Sequence, residues 1–109
     1  MEIGIADYNG NKLITVSGDI DMYSSPALRE QMIFLINKKV SVMLVDFNKV
    51  SYIDSSGIAT FVEVLKHMKS YGGRLQLFGL PVAVKEIFGF SKLDKVFEIF
   101  RDIEDAVKS

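Results

Sequence analysis

Hydrophobic and polar positions change period several times along the chain, and each change marks an element. Glu2 to Tyr8 is mixed in character and runs into Asn9-Gly10-Asn11. Asn-Gly is the favoured pair for a tight hairpin turn, because both central positions need positive φ. Lys12 to Ser17 then alternates, with Leu13, Thr15 and Ser17 set against Ile14 and Val16. Two antiparallel strands joined by that turn are expected. Ser24-Ser25-Pro26 reads as a helix start, a serine cap with proline at the first helical position. Leu28, Met32, Leu35 and Ile36 recur at helical spacing and form the buried stripe. Ile33 and Phe34 lie off its centre and are expected to be partly buried. Lys38-Lys39 suits the carbonyl end of this helix.

Val42 to Phe47 is nearly continuous apolar sequence, as in a central strand covered on both faces. A loop is expected after it, then a second helix from about Ser55-Ser56-Gly57 to Tyr71. Its stripe is Ile58, Phe61, Val62, Leu65 and Met68, and Gly72-Gly73 stops it. Arg74 to Phe78 is another strand. A third, short helix is expected around Val82 to Phe88, broken by Gly89-Phe90. An edge strand over Val96 to Phe100 and a closing helix over Asp102 to Lys108 complete the chain. Strand-helix alternation after a first hairpin predicts a single α/β domain over residues 1–109. Its sheet should be mostly parallel, with four to five strands, an initial antiparallel hairpin and about four flanking helices.

Composition narrows the classes. A chain of 109 residues has the size of one domain and can hold a core without covalent staples. With no cysteine there is no disulfide framework, thiolate metal site or cysteine nucleophile. Acidic and basic residues are interspersed at a net charge of -1, which argues against direct binding of nucleic acid. Glu2 and Asp7 interrupt any leader-like apolar region, and no apolar run approaches the ~20 residues of a membrane span. A cytoplasmic domain without membrane insertion is expected.

The most informative stretch is Val50-Ser51-Tyr52-Ile53-Asp54-Ser55-Ser56-Gly57-Ile58. It lies at the carboxyl end of a parallel strand, where open α/β sheets carry their functional loops. Two hydroxyls fall at a helix start, a favourable place for an anion. In the plainest reading, Asp54 or Ser55 caps the helix, Ser55 being the better candidate, and the serines do nothing else. Gly57 argues for more, since glycine in a helix costs up to ~1 kcal/mol relative to alanine. Close approach by another backbone, a partner's or the chain's own, would account for it.

Other candidate chemistry is sparse. There is no phosphate-binding Gly-rich loop, no dinucleotide fingerprint and no nucleophile elbow. His67, the only histidine, falls about three turns into the second helix, away from the serines. Asp19 and Asp21 lack the third oxygen-rich partner of a metal site. No enzyme activity, cofactor or metal is expected.

Asp54-Ser55-Ser56-Gly57 ahead of an apolar helix resembles the signature of bacterial anti-sigma factor antagonists, within the wider STAS family. Gly18-Asp19-Ile20-Asp21, between a strand and a Ser-Pro helix start, is similar to that family's Gly-acidic-apolar-Asp loop. Gly72-Gly73-Arg74-Leu75 and Leu93-Asp94-Lys95-Val96-Phe97 also fall where such domains have theirs, so the resemblance covers nearly the whole chain. It implies a partner switch. The unphosphorylated domain binds an anti-sigma factor that is also a serine kinase, freeing the sigma factor. Phosphorylation on the second hydroxyl of the motif, Ser56 here, causes release, and a PP2C-type phosphatase resets the cycle. The partner surface is then expected to comprise Asp21, Met22, Tyr23, Asp54, Ser55, Ser56 and Gly57. The alternative is a STAS subunit of a transporter or stress-signalling assembly.

Overall fold

The computed structural model describes residues 1–109 and has five strands in the order β1-β2-β3-β4-β5. Strand β1 (Glu2–Tyr8) pairs antiparallel with β2 (Asn11–Ile20), with Tyr8 opposite Asn11. The two residues between them, Asn9 and Gly10, have φ of 50° and 81°, the twist that a two-residue hairpin needs. Helix α1 (Ser25–Asn37) leads to β3 (Val42–Ile53), α2 (Ser55–Ser70), β4 (Arg74–Phe78) and α3 (Val82–Phe90). A 3₁₀ turn at Leu93–Lys95, strand β5 (Glu98–Phe100) and helix α4 (Ile103–Lys108) complete the fold. All pairings from β2 to β5 are parallel.

Three expected boundaries move. The loop expected after Phe47 is strand, because β3 continues to Ile53 beside an equally extended β2. Two register shifts along this pairing place an extra β3 residue opposite β2, once between Thr15 and Ser17 and once between Gly18 and Asp19. Such bulges bend and twist a strand, and backbone pairing rather than apolar alternation carries it past polar Asn48, Lys49 and Ser51. Helix α3 runs through Gly89 to Phe90 instead of breaking at Gly89. The final strand is only Glu98–Phe100, since the residues before it form the 3₁₀ turn.

Helices α1, α2 and α3 cover one face of the sheet. Leu28 and Met32 of α1, Phe61, Val64 and Met68 of α2, and Val84 and Phe88 of α3 pack there on Ile14, Val16, Val45, Phe47, Leu75 and Leu77. Phe47 is the centre, with ring centroids 5.3 Å from Phe61 and 6.2 Å from Phe88. The other face carries a small cluster of Leu44, Phe78 and Ala106 under α4. Buried Gln76 satisfies its amide there by donating to the Ala106 carbonyl at 3.1 Å and to Ser109 Oγ at 2.9 Å. The α1 stripe is as expected, except that Phe34 is 54% exposed rather than partly buried, with the Lys38 ammonium 4.4 Å from its ring centroid. On α2 the buried line runs through Gly57, Thr60, Phe61, Val64, Leu65 and Met68, leaving Ile58 and Val62 half-buried. Gly57 lies close against Ile20 and Ile53 at the strand ends.

Candidate functional site

The parallel strands β2 and β3 end side by side, with Ile20 opposite Ile53. The Asp54 amide donates to the Ile20 carbonyl at 3.0 Å, so the two following loops leave the sheet from one place. This brings the two sequence motifs together.

After β3 the turn into α2 is a single residue. Asp54 is extended, with φ of -105° and ψ of -174°, and its carboxylate accepts from the Gly57 amide at 3.1 Å. Asp54 is therefore the cap in place of the expected Ser55, which is already helical. The Asp54 carbonyl accepts from Ile58, and the Ser56 carbonyl accepts from Thr60 Oγ1 at 3.1 Å. These bonds leave out both serine hydroxyls. They also leave the Ser55 and Ser56 amides as the open donors at the positive end of α2. Ser55 is exposed and Ser56 half-buried.

Gly57 is buried, so it is no direct contact surface for a partner. A Cβ on it would lie 2.7 Å from both Ile20 Cγ2 and Ile53 Cγ1, and 2.9 Å from the Ile20 carbonyl oxygen. The close approach that explains the glycine is thus the chain's own strand end. It seats the first turn of α2 on β2 and β3.

The β2–α1 loop is tied by a different device from the serine cap expected there. Ser25, the cap expected ahead of Pro26, is already helical and buried, and Ser24 at the N-cap position makes no side-chain cap to α1. Its hydroxyl instead accepts from the Asp21 amide at 2.9 Å and donates to the Asp19 carbonyl at 2.7 Å. The Asp21 carboxylate accepts from the amides of Ser24 at 3.0 Å and Tyr23 at 2.9 Å. These amide bonds, from Ser24 first and Tyr23 second, hold the Asp21 carboxyl below the usual aspartate range. Asp21 therefore orders the loop. The ordered loop presents Met22 at 62% and Tyr23 at 86% exposure.

His67 stands apart, exposed on α2 with its Nε2 3.7 Å from the Glu63 carboxylate. Glu63 is also held by a bidentate bond from Arg29 of α1, at 2.7 and 2.5 Å, which depresses its pKa. This network joins two helices on the protein surface.

Sequence reasoning missed one feature. On the β4 side of the turn, Tyr52, Ile53, Asp54, Ser55, Ile58, Ala59, Ile87 and Ser91 line an open groove of ≈350 Å³ between α2 and α3. No local pattern marks it, because its lining comes from β3, α2 and α3 together.

A family model for the STAS domain matches residues 3–106. The anti-sigma-B factor antagonist of Bacillus subtilis (strain 168) is 32% identical over 95 residues, covering 87% of this chain and 86% of that protein. An anti-sigma factor antagonist from Mycobacterium paratuberculosis superposes with a TM-score of 0.90 at 21% identity, over 98% of this chain and 91% of that one. The Bacillus cell fate determinant SpoIIAA, solved in a phosphorylated form, superposes at 0.75 with 19% identity, over 98% of this chain and 97% of that one.

Proposed function

The chain belongs to the STAS domain family, and on that premise we propose that it is an anti-sigma factor antagonist switched by phosphorylation of Ser56. Unphosphorylated, it binds an anti-sigma factor that is also a serine kinase. Phosphorylated, it releases that partner, and a PP2C-type phosphatase restores the hydroxyl. The chain acts by binding and brings no catalytic group or cofactor of its own.

One observation carries this reading. Ser55 and Ser56 stand at the start of α2 with their hydroxyls outside the capping bonds, beside a loop that holds Met22 and Tyr23 in solvent. Because Asp54 is the cap, neither serine is reserved for it, and the choice of Ser56 rests on its place as the motif's second hydroxyl. The Bacillus subtilis relative supports the partner class. Transfer from the kinase's ATP forms an Oγ–phosphorus bond on Ser56, expels ADP and passes the hydroxyl proton to the kinase. The product carries about -1.5 to -2 charges. The helix start tolerates that charge through its open amides, whereas a partner packed on Ser56 must desolvate it or let go.

The test is kinase assay followed by peptide mapping. The cognate kinase and ATP should modify the chain once, at Ser56, and Ser56→Ala should abolish the reaction. Normal yield at Ser55 in the Ser56→Ala variant would contradict the assignment. In calorimetric titrations Ser56→Ala should keep kinase affinity and Ser56→Asp should lose it. A desolvated unpaired charge costs several kcal/mol, against roughly -8 for a micromolar complex. Equal affinities would remove the electrostatic part of the switch.

A further inference from the structure

We propose that β1 is a self-association edge, through which two copies of this chain pair antiparallel about a two-fold axis at Ile5 and join their sheets into one. The proposal is independent of the functional reading above. β1 and β5 are the two edges of the sheet. β5 is only three residues long, and a short edge strand offers little to pair with. β1 runs seven residues, Glu2–Tyr8, in unbroken register with β2, and has no proline, lysine or bulge to blunt it. No backbone bond outside the strand pairing reaches it. One row of its amides and carbonyls therefore faces solvent.

The hairpin identifies that row. Tyr8 and Asn11 close a two-residue turn, and such a closing pair exchanges both its backbone bonds. Alternation then turns the backbone groups of Tyr8, Ala6, Gly4 and Glu2 toward β2, and those of Asp7, Ile5 and Ile3 outward. The outward set is symmetric about Ile5. A second β1 laid antiparallel on that centre sets Ile5 against Ile5 of the other copy and Ile3 against its Asp7, so every outward donor meets an acceptor. The side chains agree with this register. Ile5 is 40% exposed although its neighbour on β2, Ile14, is fully buried, and the pairing covers it. Asp7 faces Ile3 and Glu2 faces Tyr8, so no acid opposes an acid across the axis. Gly4 falls opposite Ala6 of the second copy. Within its own chain nothing requires glycine there, since its φ is not positive and a Cβ would meet only Thr15 Cβ, at 3.9 Å. Glycine inside a strand often marks close approach by another backbone, which this pairing supplies. Because the paired β1 strands run in opposite directions, the two serine turns lie at opposite ends of the joint sheet, and both stay open.

Sedimentation equilibrium of the parent chain, Ile5→Lys and Ile5→Glu tests the pairing. Ile5 belongs to neither buried cluster, so both variants should melt as the parent does. The parent should dimerise reversibly. Each variant alone sets like charges against each other at the axis and should weaken the dimer at least tenfold. An equimolar mixture of the two should recover association, since lysine then faces glutamate. A parent that stays monomeric at its highest soluble concentration overturns the proposal. So does a dimer that Ile5→Lys leaves intact, or a mixture of folded variants that associates no better than its components. Should either variant melt early, Gly4→Val decides the matter: its Cβ has room in its own chain but crowds Ala6 of the second copy. It should weaken the dimer at least tenfold, and an unchanged dimer would overturn the register.

Discussion

Replacing Gly57 with alanine tests how the switch turn is built. On helix propensity alone the change should stabilise α2 by up to ~1 kcal/mol. The geometry predicts the opposite. The new methyl would lie 2.7 Å from Ile20 Cγ2 and from Ile53 Cγ1, and 2.9 Å from the Ile20 carbonyl oxygen. Both isoleucines are buried, at 0% and 1% exposure, so neither side chain has room to retreat. The carbonyl is held by the Asp54 amide at 3.0 Å. Overpacking of a tight site costs typically 1–3 kcal/mol, and with backbone among the clashing atoms the upper end, ~3 kcal/mol, applies. The net effect is a loss of about 2 kcal/mol. Unfolding entropy of ~2.1 cal/mol/K per residue gives ~0.23 kcal/mol/K for this chain, so the melting temperature should fall by ~9 °C. Urea titration should show a lower midpoint at unchanged slope. The penalty should shrink by ~1 kcal/mol in an Ile53→Ala background, where one clashing atom is gone. A Gly57→Ala variant as stable as the parent, or more so, would refute the account of why this glycine is here.

Asp54→Ala should cost ~1 kcal/mol in urea titration, as loss of an N-cap does, while Ser55→Ala should stay within ~0.5 kcal/mol; the reverse order would make Ser55 the cap. The lowered pKa of Asp21 means that its ionised form is bound by the folded loop. Its stabilising effect is present above the unfolded aspartate value and is lost as pH falls through the lower folded value. Amide resonances of Tyr23 and Ser24 should therefore titrate together below the usual aspartate range, and in Asp21→Asn that step should vanish; an unaltered step would assign it elsewhere. Phosphorylation of Ser56 should change fold stability by no more than about 1 kcal/mol, because attraction to the start of α2 and repulsion from Asp54 oppose each other at a similar order. A large drop in melting temperature, or spectral shifts through Val42–Phe47 and Arg74–Phe78, would mean that the phosphate remodels the core.

The sequence by itself determined the order of elements, the hairpin at Asn9-Gly10, the α1 stripe and the bounds of β4, because each is written in local period or turn chemistry. It also marked the turn at Asp54-Ser55-Ser56-Gly57 as the place to look. What it could not decide were matters of relative position. Asn48 to Ile53 became strand because β2 ran alongside and took up its backbone bonds, and such pairing leaves no mark in composition. Asp54 rather than Ser55 became the cap because the Ile20 carbonyl holds the Asp54 amide at the strand end, so the helix can begin only one residue later. Ser24 ties the β2–α1 loop instead of capping α1 for the same kind of reason, since the Asp19 carbonyl and Asp21 amide lay within reach of its hydroxyl. The groove between α2 and α3 exists only because Ile87 of α3 meets Tyr52 and Ala59, which are distant from it in sequence. Local propensity acts over a turn of helix or a pair of strand positions, whereas a groove is made by elements that the core, not the local sequence, brings side by side.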